Sequence, residues 1–204
     1  MTVAARKMRE KEEMKTLVLE TAMKLFLDEG FGNVSIRRIA ENIDYSPATI
    51  YLYFKDKDEI LFALHSAGFE ELFRRQRAIP ATKDPLKRLR KHGEMFIKFG
   101  LENPEYYNLM FIMRSPARKF EHGEEWNAGK RSYEFFRNDV KAAIDAGVFK
   151  GADPDIATFS LLSLVHGIVS LILRKRCGMM DQSELPKVAK KALHFVMDNI
   201  GVTA

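Results

Sequence analysis

Cysteine is nearly absent: Cys177 is the only one in 204 residues. A single thiol closes no internal disulfide and builds no cysteine-based zinc site. Met1 to Lys15 is charged and lacks an apolar run, so no signal segment is expected and a reducing cytoplasm is the expected compartment. There is no glycine-rich phosphate loop, no nucleophile elbow, no His-Glu-x-x-His pair on a helix and no Glu-x-x-His pair for a di-iron bundle. No enzyme, cofactor or metal site is therefore expected. His122 stands beside Glu121, Glu124 and Glu125, but an acid-rich helix start is the simpler account of that cluster. Alternating strand patterns and internal repeats are missing as well. What remains is an apolar fraction of 46% against 30% charged, too much apolar mass for a disordered chain.

The net charge of +5 is unevenly placed. Residues 1–60 hold 10 basic and 11 acidic side chains, residues 61–100 hold 9 and 4, and the remaining 104 hold 14 and 13. Bulk charge thus does not mark the N-terminus as a nucleic-acid binder; the placement of individual side chains has to carry any such claim.

Helical spacing runs through the chain. Val18, Ala22, Leu25 and Phe26 follow i, i+4, i+7, i+8, and Gly30 closes that helix. A basic, acid-interrupted arm (Arg6, Lys7, Arg9, Lys11) precedes it. Two short helices follow, one capped by Ser35 and one by Ser46 with Pro47 at its first position, separated by Ile43, Asp44 and Tyr45. A helix from Asp58 to about Ala78 connects to further helices opening at Asp84-Pro85, near Glu124, at Pro154 and at Ser183, the Pro154 helix being expected to end at Gly178. On the second short helix, at about 100° per residue, Ile50 and Phe54 point inward while Ala48, Leu52 and Lys55 point away. Ile39, Ala40 and Ile43 supply the facing surface, and small Ala40 lets the two helices cross closely. A three-residue turn and a close crossing predict a helix-turn-helix.

The string Ser35-Ile36-Arg37-Arg38-Ile39-Ala40 followed by Ser46-Pro47-Ala48-Thr49-Ile50-Tyr51-Leu52-Tyr53-Phe54-Lys55-Asp56-Lys57, with Leu25-Phe26 and Gly30-Phe31 before it, resembles the DNA-binding domain of the tetracycline-repressor (TetR) family over roughly residues 12–62. The resemblance implies an all-α fold: an N-terminal three-helix helix-turn-helix DNA-binding domain (residues 1–57, with a connecting helix to about 78) on a larger C-terminal helical ligand-binding and dimerisation domain (residues 79–204). It implies a double-stranded DNA operator as partner, with Arg37 on bases or phosphate, Pro47, Ala48 and Thr49 facing the groove, and Tyr51, Tyr53 and Lys57 on the backbone. Asp44 stands where the family usually has glycine; aspartate tolerates a left-handed turn better than most residues. Ala48 and Leu52 offer only apolar contact, for example to a thymine methyl.

Ile156 to Leu173 contains no charged residue. Scattered Thr158, Ser160, Ser163, His166 and Ser170, and the missing aromatic belt, argue against a membrane span. Burial against a second copy of the chain is the expectation, with Phe159, Leu162 and Val169 meeting Val188, Ala192, Phe195 and Val196 of the amphipathic last helix in a homodimer. Val165-His166-Gly167 resembles the Trp-His-Gly-type motif of one C-terminal domain class, with valine in place of tryptophan. The resemblance also implies a small-molecule effector, apolar or amphipathic, whose pocket is expected among Phe96, Phe99, Tyr106, Tyr107, Met110, Met113, Trp126, Phe135 and His166. The expected function is that of a repressor released from a palindromic operator. Cys177, near a helix end, is expected to be a bystander.

Overall fold

The computed structural model describes residues 2–113 and 127–199, and every regular element among them is helical. These are α1 (Val3–Glu29), α2 (Ile36–Asn42), α3 (Pro47–Tyr51), α4 (Lys57–Arg77), α5 (Pro85–Glu102), α6 (Pro104–Phe111), α7 (Asn127–Asp145), α8 (Pro154–Leu173) and α9 (Leu185–Asn199), with short 3-10 turns at Phe31–Asn33 and Gln182–Glu184. Two compact units result: Met1–Ala67 with Asn108–Glu125, and Gly68–Tyr107 with Trp126–Ala204.

In the first unit, the charged arm is itself helical. Thr2 caps α1 by accepting from the Ala5 amide, and Arg6–Glu10 and Arg9–Glu13 pair one turn apart along an exposed surface. The apolar spacing then takes over, and Val18, Ala22, Leu25 and Phe26 are buried. Gly30 ends the helix at φ 81°, a backbone region open mainly to glycine. Phe31 then packs edge-on against Phe26, with ring centroids 5.0 Å apart. The expected connecting helix starts one residue earlier than its sequence signal: Asp56 accepts from the Glu59 amide at 2.7 Å, which puts Lys57 at the first helical position.

In the second unit, α5 packs against α7, α8 and α9. Its buried stripe is Leu89, His92, Gly93, Phe96, Ile97, Phe99 and Gly100. The two glycines are where neighbours come closest. A methyl group on Gly93 would lie 2.7 Å from Leu193 Cδ2, and one on Gly100 would lie 2.7 Å from Val169 Cγ1. Val169 is β-branched and locked in one rotamer on its helix, so it cannot swing aside. Gly100→Ala is accordingly expected to destabilise the chain by about 1–2 kcal/mol despite alanine's better helix propensity, read as a lower midpoint in thermal or denaturant unfolding.

The same contact corrects one expectation. Val169 is fully buried against its own chain, in the notch left by Gly100, and is not available to a partner. Helix α8 also ends earlier than Gly178. Lys175 takes the left-handed conformation (φ 54°), while the Arg176 amide reaches Leu171 O at 2.9 Å and the Lys175 amide reaches Ile172 O at 3.0 Å. This is a Schellman closure with lysine at a position usually held by glycine. By length and composition α8 could cross a membrane (mean hydropathy 2.2 over its apolar window).

Candidate nucleic-acid interface and ligand cavity

Helix α3 is only five residues long, far below the roughly 12–15 at which an isolated helix holds in water. Local chemistry and tertiary packing hold it. Ser46 Oγ accepts from the Thr49 amide at 3.2 Å, Pro47 sits at the first helical position, and Ile50 and Phe54 are buried in the unit's core. The turn before it is fixed by Asp44 at φ 57° and by the Tyr45 amide, which donates to Ala40 O at 3.0 Å. Aspartate thus adopts the left-handed conformation that the family pattern gives to glycine.

With the inward side occupied, α3 presents Ala48, Tyr51 and Leu52 to solvent, Tyr51 being 56% and Leu52 76% exposed. Pro47, Thr49 and Tyr53 are half-buried at its edges, and the Thr49 hydroxyl lies 3.0 Å from Ser46 Oγ. Leu52, expected like Ala48 to offer apolar contact only, belongs to this exposed face. Arg37 is exposed on α2 and pairs with Glu41 at 2.9 Å. An exposed i,i+4 pair is worth only about 0.3–0.5 kcal/mol, so Arg37 is easily re-aimed. Arg38 instead forks onto Glu29, at 2.8 and 3.1 Å, and ties α2 to α1.

Lys57 is less free than its sequence position suggests. Its ammonium donates to Phe31 O at 2.6 Å and lies 4.3 Å from the centre of the Phe31 ring. The side chain thus fastens the start of α4 to the turn after α1. The Glu59 amide in that first turn is taken by Asp56, and Glu59 itself accepts from the Lys55 amide. The amides beside Lys57 are therefore partly satisfied from within.

The residues expected around an effector do not form one lining. Phe99 and Tyr107 are fully buried core. The Tyr107 hydroxyl donates to His166 O at 3.1 Å and lies 3.2 Å from His166 Nδ1, while Phe96 stands edge-on to the His166 ring. Burial pushes the His166 pKa down to about 4, so the ring is neutral at pH 7. Phe135 packs edge-on against Phe73, Tyr106 is half-buried, and Met110 and Met113 belong to the first unit. Trp126 lies outside the described residues. A cavity does exist in the second unit, about 30 Å³ in volume, and Phe96 is the one expected residue on its wall. The rest of the lining includes Gln76, His92, Gly93, Phe136 and Leu193. The sequence signal for it is a histidine next to a glycine on the apolar stripe of α5.

His92 is buried, and its Nε2 lies 2.6 Å from Asp139 Oδ2, which also pairs with Arg88 at 2.8 Å. Burial alone would raise the Asp139 pKa, but the hydrogen bonds from His92 and Arg88 outweigh it and hold the carboxyl below its ordinary value. Of the expected dimer residues, Phe159 and Phe195 are both 71% exposed, and Leu162, Val188, Ala192 and Val196 are half-buried.

Residues 18–64 match the model of the bacterial regulatory proteins of the tetR family, and residues 89–194 match the tetracyclin repressor-like C-terminal domain. Among curated proteins, the chain is 29% identical over 103 residues to the HTH-type transcriptional regulator YuxN of Bacillus subtilis, a match covering 50% of this chain and 34% of that one. It is 22% identical over 170 residues to the regulator YhgD of the same organism, covering 77% and 83%. The structure of the fatty acid degradation regulator FadR from Bacillus halodurans superposes with a TM-score of 0.70 at 18% identity, over 88% of this chain and 93% of that one.

Proposed function

Since the chain belongs to the tetR family and is a DNA-binding transcriptional regulator, we propose that it is a cytoplasmic repressor, released from a palindromic operator by a small apolar or amphipathic effector. In this reading residues 1–57 form the DNA-binding domain, a connecting helix runs to about 78, and residues 79–204 bind the effector and dimerise. The observation that carries it is the outward face of α3. Ala48, Tyr51 and Leu52 are exposed on a helix whose inward side already satisfies the core. Fold stability has no use for these side chains there, whereas a major groove does. Arg37, Pro47 and Thr49 complete the reading surface at its edges, and Tyr51, Tyr53 and Lys57 contact the sugar-phosphate backbone.

Dimerisation is supported by Phe159 on α8 and Phe195 on α9, two large apolar side chains that the protomer leaves in water. An apolar effector is supported by the lining of the second unit's cavity and agrees with a structural neighbour named for fatty acid degradation. The cavity is far smaller than the roughly 300–1,000 Å³ of a ligand pocket. The effector therefore binds an opened form, in which Phe96, Tyr106, Phe135 and His166 repack around it, and shifts the protein toward that form.

Footprinting in physiological salt is expected to show sequence-selective protection of two related half-sites, spaced by about 10 bp or a multiple. A panel of apolar ligands can be followed through the fluorescence of Trp126, the only tryptophan in the sequence. An effector found this way is expected to change operator affinity about 5- to 150-fold, a coupling of roughly 1–3 kcal/mol. Protection without sequence preference would overturn the operator reading. Ligands that bind and leave operator affinity unchanged would overturn the coupling.

A further inference from the structure

We propose that His92 is the polar recognition group of the effector site, and that the ligand it selects is an apolar molecule carrying one hydrogen-bond donor, of the alcohol or phenol class. The inference rests on the effector reading above and adds the chemistry of the site.

Three observations converge on it. First, His92 is 98% removed from solvent, and its Nδ1 is a buried polar atom with no hydrogen-bond partner among the described residues. Buried polar atoms are rarely left unpaired, and each one calls for an explanation. Second, the ring is held in place. Nε2 lies 2.6 Å from the Asp139 carboxylate, Arg88 pairs with that same carboxylate, and the ring stands between Phe135 and Phe136, with centroids 5.9 and 5.3 Å away. When Nε2–H donates in the hydrogen bond to Asp139, the tautomer that results carries its lone pair on Nδ1 and accepts there. Third, His92 lines the apolar cavity beside Gly93, and much of the remaining wall is flexible: Met95, Met197 and Leu193.

An acceptor fixed in an apolar wall selects by chemistry. A hydroxyl or N–H donor completes it. A hydrocarbon of the same shape leaves it unpaired, and an ionised carboxylate brings only acceptors. On ligand binding the methionines and Leu193 yield.

Phenol, toluene and benzoate form a shape-matched test set, measured against the full-length protein by calorimetry. Phenol is expected to bind at least about tenfold more tightly than toluene, with benzoate weaker than both. On adding phenol, the ¹⁵N resonance of His92 Nδ1 is expected to move in the direction of a hydrogen-bonded acceptor. His92→Phe, close in size, is expected to abolish the preference of phenol over toluene. Equal affinity for phenol and toluene, no detectable binding of phenol at millimolar concentration, or an unmoved Nδ1 resonance in the unaltered protein would each overturn the assignment, whether or not the variant folds. Phenol binding with the Nδ1 shift but no change in operator affinity would uphold the site and overturn the regulatory reading on which it rests.

Discussion

Phe195→Glu is expected to give a folded monomer that binds the operator about 10²- to 10⁴-fold more weakly. Phe195 is 71% exposed on α9, so a carboxylate there stays in water in the isolated protomer and helicity is unchanged. In a two-fold dimer the substitution occurs twice. Each copy forfeits the roughly 1.5–3 kcal/mol of a buried aromatic and adds several kcal/mol for desolvating an unpaired charge. The weakened operator binding follows from connectivity: a lone head loses the effective concentration that its linked twin supplies at the second half-site. Sedimentation equilibrium and circular dichroism together decide the matter. A variant that remains dimeric would remove α9 from the interface; one that unfolds would show that Phe195 supports the protomer. Val196 is half-buried and makes a poorer probe, because its substitution mixes the two effects.

Removing Arg37 and Tyr51 together is expected to weaken operator binding strongly while leaving thermal unfolding nearly unchanged. Both side chains are exposed, and neither fills the core. A good base contact is worth about 1–3 kcal/mol. With the backbone contact of Tyr51 lost as well, the two changes on separate helices add to roughly 2–6 kcal/mol, on the order of 30- to 10⁴-fold, and the share from Arg37 is the one that separates operator from unrelated DNA. Gel-shift titrations against operator and random duplex measure it; a double variant that discriminates as well as the unaltered protein would place recognition elsewhere. Lys57→Ala is a less clean substitution. A phosphate contact there predicts a salt slope smaller by about 1. The lysine's bond to Phe31 O predicts a head weakened by about 1 kcal/mol as well, so its binding data need an unfolding curve beside them.

Features that depend on a few neighbouring residues were legible in the sequence. Ser35 and Ser46 cap the helices their positions announce, and Asp84 caps the one it was expected to open, because a cap needs only a short polar side chain and an amide two or three residues on. Asp44 adopts its left-handed turn for the same local reason. The end of α8 was misplaced because glycine is the usual mark of a Schellman closure, and here Lys175 takes the strained conformation while Gly178 does not define the helix end. Contacts between distant segments were the least legible. Val169 has the composition of an interface residue, and only its meeting with Gly100, 69 positions earlier in the chain, makes it core. The cavity beside His92 likewise depends on α5, α7, α8 and α9 converging. A list of aromatic and methionine residues ranks side chains by size, and size says nothing about where space is left.

Helix α1 is continuous from Val3 to Glu29, yet its two ends are held by different forces. The N-terminal stretch up to Glu13 is exposed along its length and supported by ion pairs and propensity alone, whereas Val18 to Phe26 is anchored by burial. Opening at the first end therefore needs only a few tenths of a kcal/mol per turn, and its amide protons exchange with solvent by local fraying. Amides near Val18 and Ala22 are released only when the whole head opens. One helix thus carries two clocks, and a protease that finds Lys7 or Lys11 shortens the arm without disturbing the surface that α3 presents.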